Sequence, residues 1–509
     1  MKTMKKNFLN FGAAAMSLLA VGCGTGTDES GLLNSPQYEV MEDNAMSAND
    51  SGDGLLPTTS GDQFEEFADN PFVKTAEQPV STFSVDADGA SYGIMRRYVT
   101  NGYKIIPSSV RIEEFLNYFT FNYPAPTGNE TVAINAEVGD CPWNTGHRLL
   151  RLGIKGKELA ASEMPRANFV FLVDVSGSMS SADKLDLLKK GLTELLYQLN
   201  PDDRISLITY SGEVQKLLES TSVRNADKIK EAISKLRADG CTAGGEALKM
   251  AYEEALANYD PKCNNRVILG TDGDFNVGVT STDALVAMVE SYARKGIYMT
   301  CLGFGTGNLN DAMMERISNA GNGTYHYIDS EQEMMKVFVN ERSQFVSVAN
   351  DAKCQVRFNS DFVSEYRLIG YENRVMNNED FEDDKKDAGE IGAGQTITVL
   401  YEIVLQGGLE CPNGIRLANF DFRYKQSLDG ESRPLEQDIV DDGPLCTHSD
   451  EFYFAAGVAA YGMILRNSPY KGDATIDMAK ELVTTGLSFD PHGYRAELLQ
   501  LMDKLANER

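Results

Sequence analysis

Between residues 167 and 345 the chain alternates between short β-branched or aliphatic runs and longer segments whose apolar residues recur every three or four positions. The runs "NFVFLVDV", "RISLITYS", "RVILGTDG", "IYMTCLGFG" and "GTYHYID" are strand candidates, and their continuous apolar character predicts burial on both faces. Between them "SADKLDLLKKGLTELLYQL", "NADKIKEAISKLRA", "GEALKMAYEEALANY" and "TDALVAMVESYARKG" have helical periodicity. Strands buried on both faces and joined by helices specify an α/β fold: a doubly wound, mostly parallel sheet. The less apolar "EVQKLLES" follows "RISLITYS" so closely that it reads as an antiparallel edge strand.

The flanks have a different pattern. Upstream, a helical "SVRIEEFLNYF" precedes "TVAINAEVG" and "HRLLRLGIKG"; downstream come "CQVRF", "EYRLIGYEN", "QTITVLYEIVLQ" and "RLANFDFRYKQ". Neither set of strands makes a comfortable sandwich alone, so the two are expected to pair across the α/β segment as one discontinuous β unit. The tail, with "FYFAAGVAAYGMILRN" and "YRAELLQLMDKLA", reads as two or more amphipathic helices. The expected organisation is an N-terminal associated region at 71–160, the α/β domain at 167–345, and a C-terminal domain at 346–509 that is β-rich over 350–445 and helical over 450–509.

In a doubly wound sheet, ligands bind beyond the carboxyl ends of the strands, near the point where strand order reverses. Asp174, Ser176 and Ser178 stand at such an end, Asp272 stands at another, and the loop "DGCTAGGEAL" presents Thr242 just before a helix that begins near Gly245. Two carboxylates and three hydroxyls on separate loops form a hard-oxygen donor set. Such a set suits Mg²⁺, Mn²⁺ or Ca²⁺, whereas zinc would ask for His or Cys, and none of the four histidines falls in these loops. Gly177 permits the turn, and a site with only two carboxylates leaves room for an outside acid. On a purely structural reading, Ser178, Ser180 and Ser181 would cap the following helix, with Asp183 completing a capping box.

"DVSGSM", the threonine of "GCTAGGEAL" and the aspartate of "GTDGD" together resemble the metal-ion-dependent adhesion site of von Willebrand factor type A domains. The resemblance implies that Ser176, Ser178 and Thr242 coordinate the cation directly or through water. It implies that Asp174 and Asp272 act largely through water, and that a ligand carboxylate completes the coordination. Beyond residue 70, "STFSVDADGASYGIMRRYV", "CPWN", "GFGTGNLND" and "DDKKDAGEIGAG" are similar to bacterial lipoproteins in which a type A domain lies between an N-terminal associated region and a C-terminal domain of unknown role. That family implies extracytoplasmic binding or assembly.

The amino terminus has Lys2, Lys5 and Lys6 before an apolar stretch from Phe8 to Gly22, as a targeting segment does. Its ending, "LLAVGC", resembles the lipobox of bacterial lipoproteins, with Ala20 where a leucine is usual. The expectation is a signal peptide at 1–22, a lipid-modified Cys23, and a flexible acidic tether at 23–70 rich in Gly, Ser, Asn and Asp. The protein would then be extracytoplasmic and membrane-anchored, in the outer membrane if the cell has one. The 47 basic against 75 acidic residues argue against a nucleic-acid partner, and the expected partner is a protein offering a carboxylate. Seven further cysteines lack metal-type spacing.

Three lesser features have ordinary readings. Asp86 and Asp88 in "SVDADGAS" form a structural turn, the acidic "NNEDFEDDKKDAGE" is a solvated loop, and Trp143, the only tryptophan, belongs to the core. The competing functional class is a metal-dependent hydrolase that uses the same cation as a Lewis acid. It lacks a visible base: Glu246 is the nearest by sequence and is expected to face the helix surface. The chain is therefore expected not to be an enzyme.

Overall fold

The computed structural model describes residues 61–240, 245–273, 281–407, 414–443 and 448–507. Cys23, the signal and lipobox residues, most of the expected tether and Thr242 lie outside the described residues.

Six strands form the α/β sheet, in the spatial order Tyr325–Ile328, Ile297–Phe304, Cys263–Thr271, Arg166–Asp174, Arg204–Tyr210 and Val214–Ser222. All neighbours are parallel except the last pair, so "EVQKLLES" is an antiparallel edge strand as its sequence indicates. Strand Arg166–Asp174 is buried from Ala167 onward, and its period of two explains why. Phe169, Phe171 and Val173 pack on one side with Leu188, Leu192 and Leu195 of helix Leu185–Gln198. Val170 and Leu172 pack on the other with Ala247, Leu248 and Tyr252 of helix Gly245–Ala257. Burying each such aromatic or aliphatic side chain contributes about 1.5–3 kcal/mol, which favours a strand covered on both faces.

The flanking segments join in two further sheets. Val132–Asp140 and Arg148–Gly156 from upstream lie beside Thr396–Leu405, Val363–Ile369 and Val73–Lys74. In the other sheet the upstream strand Val80–Ser84 pairs with Ser347–Phe358, whose partners include Ile415–Lys425. The inner faces share one core, in which Leu150, Leu152, Val399 and Tyr401 meet Val356, Phe420 and Phe422. The α/β segment is thus inserted into a β unit built from both flanks. Its two chain passages are stitched to one turn, where Gly394 N–H donates to the Lys157 carbonyl at 3.0 Å and Ala393 N–H to the Val346 carbonyl at 2.8 Å.

Three C-terminal helices, Asp450–Arg466, Ile476–Thr485 and Tyr494–Asn507, pack with helix Ile112–Asn117 and with Trp143 in a further apolar cluster. The first is apolar on nearly every side and is correspondingly buried, with Ser449 capping its amino end by accepting from Phe452 N–H. Trp143 is a core residue whose Nε1 donates to Glu402 at 3.1 Å. Among the described cysteines, Cys141, Cys263, Cys301 and Cys354 are free thiols.

Candidate functional site

The order of the α/β strands reverses between Arg166–Asp174 and Cys263–Thr271, which are parallel neighbours, and the candidate residues lie at that crevice. Asp174 ends the first strand with no exposed surface. Its Oδ1 accepts from Ser176 N–H at 2.8 Å, and its Oδ2 accepts from the Thr271 hydroxyl at 2.9 Å and the Tyr210 hydroxyl at 3.3 Å. Burial pushes the Asp174 carboxyl above its ordinary range and the nearby Asp272 charge adds to this, while hydrogen bonds from Ser176 and Thr271 pull the other way.

The backbone turns immediately after Asp174, and the hydroxyls of Ser176 and Ser178 come within 2.9 Å of each other. Asp272, also without exposed surface, follows Thr271 at the end of the adjacent strand. Gly273 makes that position possible. It has φ +96°, and a Cβ there would collide with the backbone of Leu309 and Asn310.

Four of the five expected residues are therefore gathered at one crevice. The fifth, Thr242, lies outside the described residues, but the start of its loop is pinned beside the serines. Asp239 N–H donates to the Val175 carbonyl at 2.7 Å, and Gly177 N–H donates to the Gly240 carbonyl at 3.2 Å.

The site also contains a residue that the sequence reading missed. Lys184 reaches in from just before helix Leu185–Gln198, and its Nζ donates to Asp272 Oδ2 at 2.9 Å and to the Ser178 carbonyl at 3.0 Å. Gly305 makes room for it, because a Cβ there would occupy the space of Lys184 Cε. Nothing in "SSADKLD" marks this lysine, since its partner lies 88 positions away. Thr271 and Tyr210, which hold Asp174, were also missed, although Thr271 directly precedes Asp272 in the motif.

A positive charge held between the Ser178 carbonyl and the Asp272 carboxylate means that the donor set suits a cation. Asp174, Asp272, Ser176 and Ser178 are the residues that would hold a hard divalent ion, through oxygen alone. The bound ion would supply a positive charge able to attract a partner's carboxylate.

The capping expectation is not met. Neither the short 3₁₀ turn Gly177–Ser180 nor helix Leu185–Gln198 has a side-chain cap, and Asp183 instead pairs with Arg97 at 2.5 Å. The Ser178 hydroxyl faces that of Ser176, and the helix begins at Leu185, later than its polar prefix implies. Glu246 is exposed on its helix. Asp86 and Asp88 do form a turn, Asp88 N–H donating to Asp86 Oδ1 at 2.9 Å, but both are buried. Part of the acidic stretch is anchored, because Lys353 Nζ donates to the carbonyls of Asp380 and Asp383 at 3.2 and 2.5 Å.

Three family descriptions match in succession: "von Willebrand factor" over residues 58–151, "von Willebrand factor type A domain" over 168–341, and "Uncharacterized protein YfbK, C-terminal" over 343–507. Over 465 residues the chain is 36% identical to the uncharacterized protein YfbK of Escherichia coli (strain K12), covering 87% of this chain and 80% of that one. The chain belongs to the YfbK family. Its von Willebrand factor type A match contains the crevice described above, and this domain type is consistent with protein interaction or adhesion. YfbK itself is named as uncharacterized.

More distantly, this YfbK-family chain is 29% identical over 178 residues to inter-alpha-trypsin inhibitor heavy chain H4 of Homo sapiens, covering 33% of this chain and 19% of that one. Among solved structures, a von Willebrand factor type A protein from Catenulispora acidiphila is 14% identical with a TM-score of 0.44, covering 72% of this chain and 88% of that one.

Proposed function

We propose that this YfbK-family chain is a lipid-anchored binding protein of the cell envelope. It captures an acidic group of a protein partner through a divalent cation held at the type A crevice. Asp174, Ser176, Ser178 and Asp272, together with Thr242, are assigned to the cation, and Cys23 to the anchor. The observation that supports this reading best is the gathering of Asp174, the serine pair and Asp272 at the switch point, with the Lys184 ammonium against Asp272.

The residues divide the work by charge. The neutral hydroxyls of Ser176 and Ser178 offer oxygens that leave an ion's charge largely uncompensated, so an incoming carboxylate is attracted to it. Asp174 is fixed by three hydrogen bonds and supplies negative charge from a rigid position. Lys184 holds Asp272 in place, and its ammonium competes with an ion for that carboxylate.

The test is Mg²⁺ or Mn²⁺ titration of the purified chain by calorimetry, followed by crosslinking pull-down from intact cells with and without chelator. The proposal expects cation binding that weakens at least about tenfold, the scale of one lost charge-assisted contact, in Ser176→Ala and Asp272→Asn. It also expects partner capture that chelator abolishes. Equal cation affinity in wild type and both variants would defeat it. For the anchor, Cys23→Ser should move the protein from the membrane to the soluble fraction.

A further inference from the structure

Away from the crevice, acidic side chains from the N-terminal region and the α/β segment meet in the interior. Asp86 and Asp88 follow strand Val80–Ser84, Glu114 lies in helix Ile112–Asn117, and Glu315 lies in helix Asp311–Ala320. One oxygen each of Asp86, Glu114 and Glu315 lies within 4.8 Å of the other two. Exposure is 1% for Asp86 and Asp88, 0% for Glu114 and 5% for Glu315.

The available positive charge is small. Arg374 Nε donates to Asp86 Oδ2 at 2.9 Å, and its Nη2 donates to Glu315 Oε1 at 3.4 Å and lies 3.6 Å from Asp88 Oδ2. Arg111 Nε donates to Glu114 Oε1, but the rest of that guanidinium serves Asp311 at 2.6 and 3.0 Å. Two arginines thus face five buried carboxylates, and uncompensated buried charge is costly.

Two oxygens in the group accept no hydrogen bond, Glu315 Oε2 and Asp88 Oδ2. The other oxygens are engaged: Glu114 Oε2 accepts from Ser91 N–H at 2.8 Å, Asp88 Oδ1 from Tyr325 N–H at 2.6 Å, and Glu315 Oε1 also from Asn319 and Asn373. Asp88 and Glu315 line a cavity of about 490 Å³ whose walls also carry Glu65, Glu290, Asp387 and Glu390 against Arg316 and Arg374, so acidic groups outnumber basic ones on a cation's way inward.

We propose that Asp86, Glu114 and Glu315, with Asp88 beside them, form a second divalent-cation site of the Ca²⁺ type that ties the N-terminal region to the α/β segment. The dimensions agree. Calcium–oxygen distances of about 2.3–2.6 Å place ligand oxygens no more than about 5 Å apart, and the three carboxylates lie within that span. The all-carboxylate donor set differs from the hydroxyl-rich one at the crevice, so this ion is nearly neutralised by the chain and its role is cohesion.

The test uses the full chain exposed to Ca²⁺ and desalted, with bound calcium counted by elemental analysis and melting followed with and without chelator. The background is Asp174→Ala, which disables the crevice, so the outcome does not depend on the crevice function. The expected result is one calcium per chain in Asp174→Ala and a melting temperature that chelator lowers by several degrees. Glu315→Gln in the same background loses the calcium and the chelator response. Should that double variant not fold, Asp88→Asn, which keeps the side-chain shape, is expected to weaken calcium retention at least about tenfold, as the loss of a charged neighbour should. Absence of calcium from Asp174→Ala, or an unchanged melting temperature in chelator, overturns the proposal and means that protons balance the cluster. Retention of calcium by the Glu315→Gln double variant overturns it equally.

Discussion

The Lys184 ammonium lies 2.9 Å from the Asp272 carboxylate, and the lysine side chain is largely shielded from solvent there. The chain thus carries its own monovalent charge at the place where the type A pattern calls for a dication. Lys184→Met removes this charge while keeping the side chain's bulk. Mg²⁺ affinity should rise, by about tenfold for one unit charge at intermediate dielectric, when measured by calorimetric titration. Unchanged or weaker binding would mean that Lys184 supports the site instead of competing for it.

Thr271 supports Asp174 from the neighbouring strand through a buried hydrogen bond of 2.9 Å. Thr271→Val keeps the shape and removes the donor, leaving Asp174 Oδ2 with the longer contact from Tyr210. The expected cost is about 1–3 kcal/mol in denaturant unfolding, together with weaker Mg²⁺ binding. A variant as stable as wild type would show that the threonine contributes nothing there.

His326, in strand Tyr325–Ile328, is held down to about 3 by burial and by the positive charges of Lys336 and Arg266. The unfolded chain takes up this proton near pH 6.5, whereas the folded chain resists it until about pH 3. Stability from this residue is therefore complete above pH 6.5 and falls as pH drops toward 3. The full slope of one proton is about 1.4 kcal/mol per pH unit. In His326→Asn, unfolding free energies between pH 4 and 6.5 should depend less steeply on pH than in wild type, and equal slopes would remove the histidine from the account.

The C-terminal segment should not fold alone. Strand Thr396–Leu405 pairs with Arg148–Gly156 over eight consecutive residues, and Ser347–Phe358 pairs with Val80–Ser84. Expressed without residues 61–160, residues 346–509 would expose two long strand edges and half of a core. Circular dichroism and gel filtration are expected to show an aggregated or unfolded chain, and a monomeric, cooperatively melting product would contradict the shared-sheet architecture.

The α/β layout was legible because a strand buried on both faces must be apolar at most positions, and five such runs separated by helical periodicity allow few other arrangements. The crevice residues were legible because Asp174, Ser176 and Ser178 interrupt such a run at its carboxyl end. Lys184 was not, since a lysine ahead of an amphipathic helix looks like any solvated residue until the fold brings Asp272 beside it. Asp86 was visible only as part of a turn and Glu114 only as one of two acids in a helix, and it takes the packing of helix Asp311–Ala320 against the N-terminal region to add Glu315 to them. The helix start after Ser180 was misplaced because the Ser178 hydroxyl is turned toward Ser176 and the helix begins only at Leu185, without a side-chain cap.

The turn at Ala393 and Gly394 holds both chain passages into the α/β segment, and those passages continue into strands of two different sheets. For the partner capture proposed above, a pull would therefore leave the α/β segment through two chain passages instead of one. Each passage runs into a strand paired along its length, so two ladders of backbone bonds would share the pull. An attachment of this kind suits a grip that must survive mechanical stress.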